Sequence, residues 1–279
     1  MASRAGLGGL LRLVHPFPIL LDAIAAGAFA WLAAGEPWVA ARLAASMLAL
    51  QASIGALNDI VDAPLDAGRK LGKPIPSGSI GVATARGVVV AAAGLGVALA
   101  VPSGPGLVAV AVVVLATGYA YDLRAKGTAW SWLPFAVGIP LLPVFGWYGA
   151  AGQVPDRFAI LIPTAILAGA ALAIANALAD ADRDRGAGVA SVALWLGPRR
   201  AWRVGAVLDL MVVAVAVGSL WAARPGVPAL AAALVSAGVL GIGAALGRAA
   251  SPSTLERAWE AQAVGIALLA VSWLWGAGA

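Results

Sequence analysis

The chain contains no cysteine and a single histidine. That removes disulfides, thiolate metal sites, Fe–S clusters and cysteine nucleophiles, and it leaves a zinc centre short of ligands. Charge is also scarce: 11% of the 279 residues are Asp, Glu, Lys or Arg, against roughly a quarter in an ordinary soluble domain. Too few polar side chains remain to cover a water-facing surface, which excludes soluble folds. What the chain has in abundance is apolar length, at 62% hydrophobic residues and a mean hydropathy of +0.93.

A bilayer is crossed by about 20 apolar residues in a helix or by a closed barrel. Nine apolar runs are bounded by glycine, proline or charge: about 17–35, 39–58, 84–102, 106–121, 130–149, 157–178, 204–222, 227–246 and 259–276. Stretches such as Val88–Ala93 and Val110–Val114 are apolar on every side rather than alternating, so they fit helices and not barrel strands. The expected fold is all-α, polytopic, with about nine transmembrane helices. Arg4 and Arg12 ahead of the first run resemble a signal peptide, but eight further spans point to an uncleaved first helix. Pro134, Pro140 and Pro143 are expected to bend the fifth helix into a cavity wall.

With the N-terminus in the cytoplasm, fifteen of the 18 cations lie on the cytoplasmic side and only Arg42, Arg157 and Arg224 on the other. This asymmetry orients the chain by the positive-inside rule. It also accounts for the sequence pI of 10.2 without nucleic acid, for which no other feature speaks. Trp38, Trp130, Trp147, Trp221 and Trp259 near run ends read as an interfacial belt.

Two polar connections, about 59–83 and 179–203, stand out by length, and long loops in compact proteins are usually functional. Each opens on the same pattern, Asn-x3-Asp-x3-Asp, as Asn58, Asp62, Asp66 and as Asn176, Asp180, Asp184. Steps of four place each set on one helical face. The sets lie 118 residues and four spans apart, hence on the same membrane side, as a parallel duplication within a single 1–279 domain would place them. Carboxylates stacked at a membrane boundary repel and resist desolvation. A divalent cation relieves both, and Mg²⁺ takes one or two carboxylates plus phosphate oxygens from a substrate. Arg69, Lys70, Lys73, Arg183, Arg185 and Lys126 lie close by in sequence and suit a phosphate or diphosphate.

These residues resemble the UbiA superfamily of intramembrane prenyltransferases. Asn58, Asp59, Asp62 and Asp66 match its N-D-x-x-D-x-x-x-D signature; Lys73-Pro74-Ile75-Pro76-Ser77-Gly78 is similar to its basic-Pro-x-Pro-Ser-Gly stretch. Asp180, Asp184, Gly188 and Ser191-Val192 match its second signature, and Tyr121 to Lys126 is similar to the segment after its fourth helix. The resemblance implies nine helices around a central cavity open to the cytoplasm. It implies Mg²⁺-dependent transfer of a prenyl group from a polyprenyl diphosphate to an aromatic or lipid acceptor in the membrane. Implied metal ligands are Asn58, Asp59, Asp62, Asp66, Asp180 and Asp184. Asp62, Asp66, Asp180, Asp184 and Lys126 become candidate catalytic residues, and Asn58, Arg69, Lys73, Tyr121, Asn176 and Arg183 candidate substrate ligands. Lys73 stands where many members carry arginine, and Pro64 challenges a helix reaching Asp66.

Asp22 lies inside the first span, where an ionisable residue is costly, and is a candidate acceptor-binding residue. Asp209, His15 and Tyr119 are weaker candidates; a lone histidine at a helix entrance reads first as interfacial. Two rivals share the pattern. A terpene cyclase of the same superfamily would ionise the same substrate without an acceptor. A cation-coupled transporter also uses repeats and intramembrane acids, though at the midplane. Acceptor, chain length and oligomeric state leave no mark in the sequence.

Overall fold

The computed structural model describes residues 6–68, 72–248 and 251–278. Among them are eleven α-helices and no strand: α1 (Leu7–Leu13), α2 (Pro16–Ala34), α3 (Pro37–Asp66), α4 (Val82–Ala100), α5 (Pro105–Ala120), α6 (Leu133–Ala151), α7 (Phe158–Ala187), α8 (Val192–Leu196), α9 (Pro198–Ala222), α10 (Val227–Leu246) and α11 (Pro252–Gly276). Nine are long and apolar enough to cross a membrane, as expected; α1 and α8 are short additions. Five open on proline at the first helical position, where the missing N–H costs nothing and the fixed φ suits the helix.

The apolar runs mark the lipid-spanning parts but underestimate four helices: α9 and α11 begin six and seven residues before their runs, and the other two run on past their ends. α3 continues eight residues beyond the run that ends at 58, with Pro64 inside it, and α7 continues to Ala187. Both acidic motifs therefore sit on helix rather than in loops. Pro64 forfeits one backbone hydrogen bond and does not end the helix before Asp66.

The chain forms two compact units. Unit 1 comprises Met1–Leu123 and Val144–Gly152. Within it α3 packs on α2, α4 and α5, with Leu43, Met47, Leu50 and Leu107 fully buried. The α3–α4 contact is close: a Cβ on Gly96 would press on the Leu50 side chain and backbone, and Ser46 Oγ donates to Gly96 O at 2.6 Å. Such small-residue contacts hold helices together where lipid gives no hydrophobic drive. Arg42, one of three cations outside the cytoplasmic set, donates to Leu99 O and to Ser103 Oγ.

Unit 2 comprises Arg124–Pro143 and Gln153–Ala279. Here α7 packs on α9 and α11, α10 on α11 and α9, and α8 on α7 and α9. Ile174, Leu178, Val192 and Ala201 form one core cluster. Large apolar side chains such as Ile24, Val90, Leu210, Val227 and Ile242 remain exposed on the helices, as a lipid solvent permits. Trp38, Trp130 and Trp221 are also exposed, in keeping with a belt, but Trp147 is only 5% exposed and belongs to the core of unit 1.

Candidate active site

In unit 1 the extension of α3 carries two differently used faces. Asp59 is fully buried, and its Oδ1 accepts hydrogen bonds from Lys73 Nζ and, at 3.2 Å, from His15 Nε2 when that nitrogen is protonated. Lys73 Nζ also lies 3.2 Å from His15 Nε2 and 3.6 Å from Asp66 Oδ2. Asp59 and Asp66 are two helical turns apart, so one buried ammonium serves both carboxylates. Lys73 Nζ donates to Asp59 and faces Asp66, and it donates to His15 only in the tautomer whose Nε2 carries no proton and so does not donate to Asp59; the segment after α3 is thereby tied back onto the helix. His15 is therefore a partner of the first motif rather than interfacial filler. It sits at positive φ, 54°, directly before α2, a backbone conformation uncommon for a residue with a side chain.

The second face carries Gln51, Asn58 and Asp62, spaced by seven and four residues and all half-buried. Asn58 Nδ2 donates to Asp122 Oδ1 at 2.8 Å, leaving the amide oxygen available. Asp122 is buried in a π-helical turn, Tyr121–Ala125, that follows α5; such turns recur at functional sites. Tyr121 and Asp62 both make contacts and are half-buried. The Tyr119 hydroxyl is bonded to Ser53 Oγ at 2.7 Å, and Ser53 donates to Val89 O, a packing role. Deeper along α3, Gln51 Nε2 donates to Asp22 Oδ2 at 2.8 Å. Eleven residues separate Gln51 from Asp62, about 16 Å along the helix at 1.5 Å per residue.

In unit 2, Asn176, Asp180 and Asp184 share a face of α7 and are all half-buried. Arg183 Nη1 donates to Asp180 Oδ1 at 2.6 Å and Arg185 Nη1 to Asp182 Oδ1 at 2.7 Å. Asp182 is 73% exposed at its side chain and off the shared face. Asp184 has the Ser191 hydroxyl as a hydrogen-bond partner and the charges of Asp180, Arg183 and Lys126 around it. Ser191 in turn caps α8, accepting from Leu194 N. The return from α7 to Ser191 passes through Gly188 at φ 69°, a left-handed C-cap that favours glycine.

The sequence candidates thus fall into three groups. Asp59, Asp66 and Lys73 meet one another in a buried ion cluster. Asn58, Asp62 and Tyr121 belong to the half-buried face and turn of unit 1, and Asn176, Asp180, Asp184, Arg183 and Lys126 to unit 2. Arg69 lies outside the described residues. Among the described residues no three acidic or imidazole side chains gather as a metal cluster. The carboxylates of the two motif faces stand singly or in pairs, a donor set that would fit Mg²⁺ completing its shell with water and phosphate oxygens. Sequence reasoning passed over Gln51, Asp122 and Ser191 as site residues. Gln51 was signalled by its position two helical turns before Asn58, and the other two by lying inside motif segments already noted.

The family model for the UbiA prenyltransferase family matches residues 20–266. The chain belongs to the UbiA prenyltransferase family. None of the curated proteins matches it. Solved structures resembling this member include a digeranylgeranylglyceryl phosphate synthase, 18% identical, covering 97% of this chain and 98% of its own, with a TM-score of 0.70. A UbiA homolog from Aeropyrum pernix K1 is 18% identical over 91% and 96%, with a TM-score of 0.72. A UbiA homolog from Archaeoglobus fulgidus bound to GPP and Mg²⁺ is 17% identical over 95% and 99%, with a TM-score of 0.71. At these identities the structures establish a shared fold. Family membership makes the chain an integral membrane enzyme that transfers prenyl groups.

Proposed function

We propose that the protein moves a prenyl group from a polyprenyl diphosphate, with Mg²⁺, onto a hydrophobic acceptor in the membrane, working as a single domain with both acidic motifs cytoplasmic. The observation that carries this reading is the repeated Asn-x3-Asp-x3-Asp face, each copy on a helix that outruns its apolar span. The GPP and Mg²⁺ bound by the Archaeoglobus homolog support the substrate class.

The residues that would hold Mg²⁺ are Asp62 and the Asn58 amide oxygen on one motif and Asp180 and Asp184 on the other. Bound there, Mg²⁺ supplies the positive charge that stabilises departing diphosphate. Asn58 is oriented by its bond to Asp122, and Asp184 by Ser191. Lys126, beside Asp184, and Arg183 hold the diphosphate oxygens electrostatically as the C–O bond breaks; Tyr121, Asn176 and Arg69 belong to the same substrate set. Asp59, Asp66 and Lys73 are assigned a supporting role, because the two carboxylates are already engaged by the buried ammonium. Asp22, held by Gln51, is assigned to the acceptor, deeper in the membrane than the diphosphate.

The test is to supply the purified protein with Mg²⁺ and prenyl diphosphates of ten to forty-five carbons, with and without candidate aromatic, glycerophosphate and sugar phosphate acceptors, and to identify products by mass spectrometry. Slow release of prenyl alcohol, accelerated by one acceptor that becomes prenylated, is expected. A cyclised hydrocarbon formed without acceptor would replace transfer by cyclisation. Absence of turnover with every pair would overturn the reading.

A further inference from the structure

Asp22 belongs to the inner side of α2. Leu20, Ile24 and Trp31 mark the exposed side of that helix. At 3.6 residues per turn Asp22 lies opposite them, between Ala26 and Phe29, which are both buried. Protein surrounds Asp22, yet the residue is only half-buried, so it borders interior space and not lipid. Its partner Gln51 on α3 is half-buried as well. To either side of the pair the chain closes on α3: a Cβ on Gly27 would meet the Ala44 side chain at 3.0 Å, and one on Gly55 would meet Val14 O at 2.8 Å.

Gln51 Nε2 donates to Asp22 Oδ2. Asp22 Oδ1 and the Gln51 amide oxygen are left over; unlike both oxygens of Asp209, they are not sealed inside protein without a partner. The pair therefore offers two free hydrogen-bond acceptors to the interior. No cation stands near it. The only ones on α2 to α5 are Arg42 and Arg86. Arg42 lies nine residues before Gln51, about 14 Å along the helix, and is engaged by Leu99 O and Ser103 Oγ; Arg86 is exposed in the first turns of α4.

These features sort what can lie against the pair. A prenyl tail would strip water from the carboxyl group and give nothing in return. A carboxylate or phosphate would set a second anion beside Asp22 with no cation to offset it, so that one of the two would have to take up a proton. An ammonium suits the charge but must itself be desolvated in the membrane. A hydroxyl brings the missing donor and no charge. About 16 Å of α3 separates Gln51 from Asp62, so a group held here is the end of the acceptor remote from the diphosphate, not the atom that takes the prenyl group.

We propose, resting on the prenyl-transfer reading above, that Asp22 and Gln51 receive an uncharged hydroxyl at the far end of the acceptor and exclude acceptors that carry a carboxylate there. The pair determines specificity and takes no part in breaking or making the prenyl bond.

The experiment compares matched acceptors on two ring sizes under argon: hydroquinone, 4-methoxyphenol and 4-hydroxybenzoate, and the corresponding 1,4-substituted naphthalenes. Transfer by the full chain in detergent is followed with Mg²⁺ and prenyl diphosphate, and protection against thermal unfolding is followed without either. On at least one ring the diol should protect and be prenylated. The methyl ether should lose about ten- to a hundredfold in kcat/KM, the worth of one hydrogen bond to a charged group, and the carboxylate should neither protect nor compete. In Asp22→Asn the diol-to-carboxylate ratio of kcat/KM should fall at least tenfold, a comparison in which the rings' own reactivities cancel. A carboxylate accepted as well as the diol overturns the proposal. So does an unchanged ratio in Asp22→Asn, which would leave the pair as a tie between α2 and α3. Should that variant fail to fold, the protection series on the unmodified chain decides. Mg²⁺-dependent release of prenyl alcohol without acceptor reports the underlying reading separately: if it persists while both diols are refused, only this inference falls.

Discussion

Asp59 and Asp66 in unit 1 share one buried ammonium, whereas Asp180 and Asp182 in unit 2 each pair with an arginine three residues along their own helix. The side chains of Asp59 and Lys73 are 0% and 9% exposed; those of Asp180 and Arg183 are 39% and 43%. The first arrangement joins α3 to a segment fourteen residues away from Asp59 and to the start of α2. The second joins nothing beyond α7. One spacing rule therefore yields a fixed acidic site in unit 1 and an open one in unit 2, because the loop after α3 supplies a lysine that folds back.

Breaking this contrast at its strongest point means removing Lys73. Lys73→Met strands two carboxylates without their cation, and loss of one partner of a buried pair costs about 3–5 kcal/mol; thermal unfolding should show the loss. Adding Asp59→Leu to Lys73→Met should recover much of it, since replacing a whole buried pair by apolar groups is often close to neutral. If the double variant is no better than the single one, the ion cluster is not what Lys73 sustains. Asn58→Leu deprives buried Asp122 of one donor, at a cost of about 1–3 kcal/mol. Its unfolding midpoint should fall less than that of Lys73→Met, while its apparent Mg²⁺ requirement rises. On the other side of the contrast, Arg183→Ala removes an exposed pair worth about 0–1 kcal/mol. Its stability should be nearly unchanged, and its KM for prenyl diphosphate should rise with Mg²⁺ held saturating. A large drop in stability would show that the unit 2 pair is not the open one described.

The membrane architecture was legible because lipid demands long apolar helices, and each of the nine runs lies on one, overrunning an end by at most three residues. Their ends were less legible. Hydropathy falls at residue 58, yet hydrogen bonding carries α3 to Asp66 through Pro64, because a helix leaving the membrane needs no apolar side chains. The acids could be found by spacing alone, but their division of labour could not. The pattern of fours groups Asp66 with Asp62, while Lys73 draws Asp66 toward Asp59. A partner approaching from a separate loop leaves no periodic trace, and the same holds for His15. Trp147 was misread as belt because nearness to a run's end does not say which way a ring packs; it is buried. The Asp22–Gln51 pair was half visible, through the acid but not its amide.

The central claim is that both acidic motifs serve one Mg²⁺-dependent departure of diphosphate, and the direct measurement is the rate of diphosphate release against Mg²⁺ concentration for the unmodified protein, Asp62→Asn and Asp180→Asn. Positioned groups that stabilise developing charge are commonly worth about 10²–10³ in rate, so each substitution should lower release at saturating substrate by at least about a hundredfold and raise the Mg²⁺ concentration required, with folding intact by thermal unfolding. Release that continues at the unmodified rate in either variant would contradict the account.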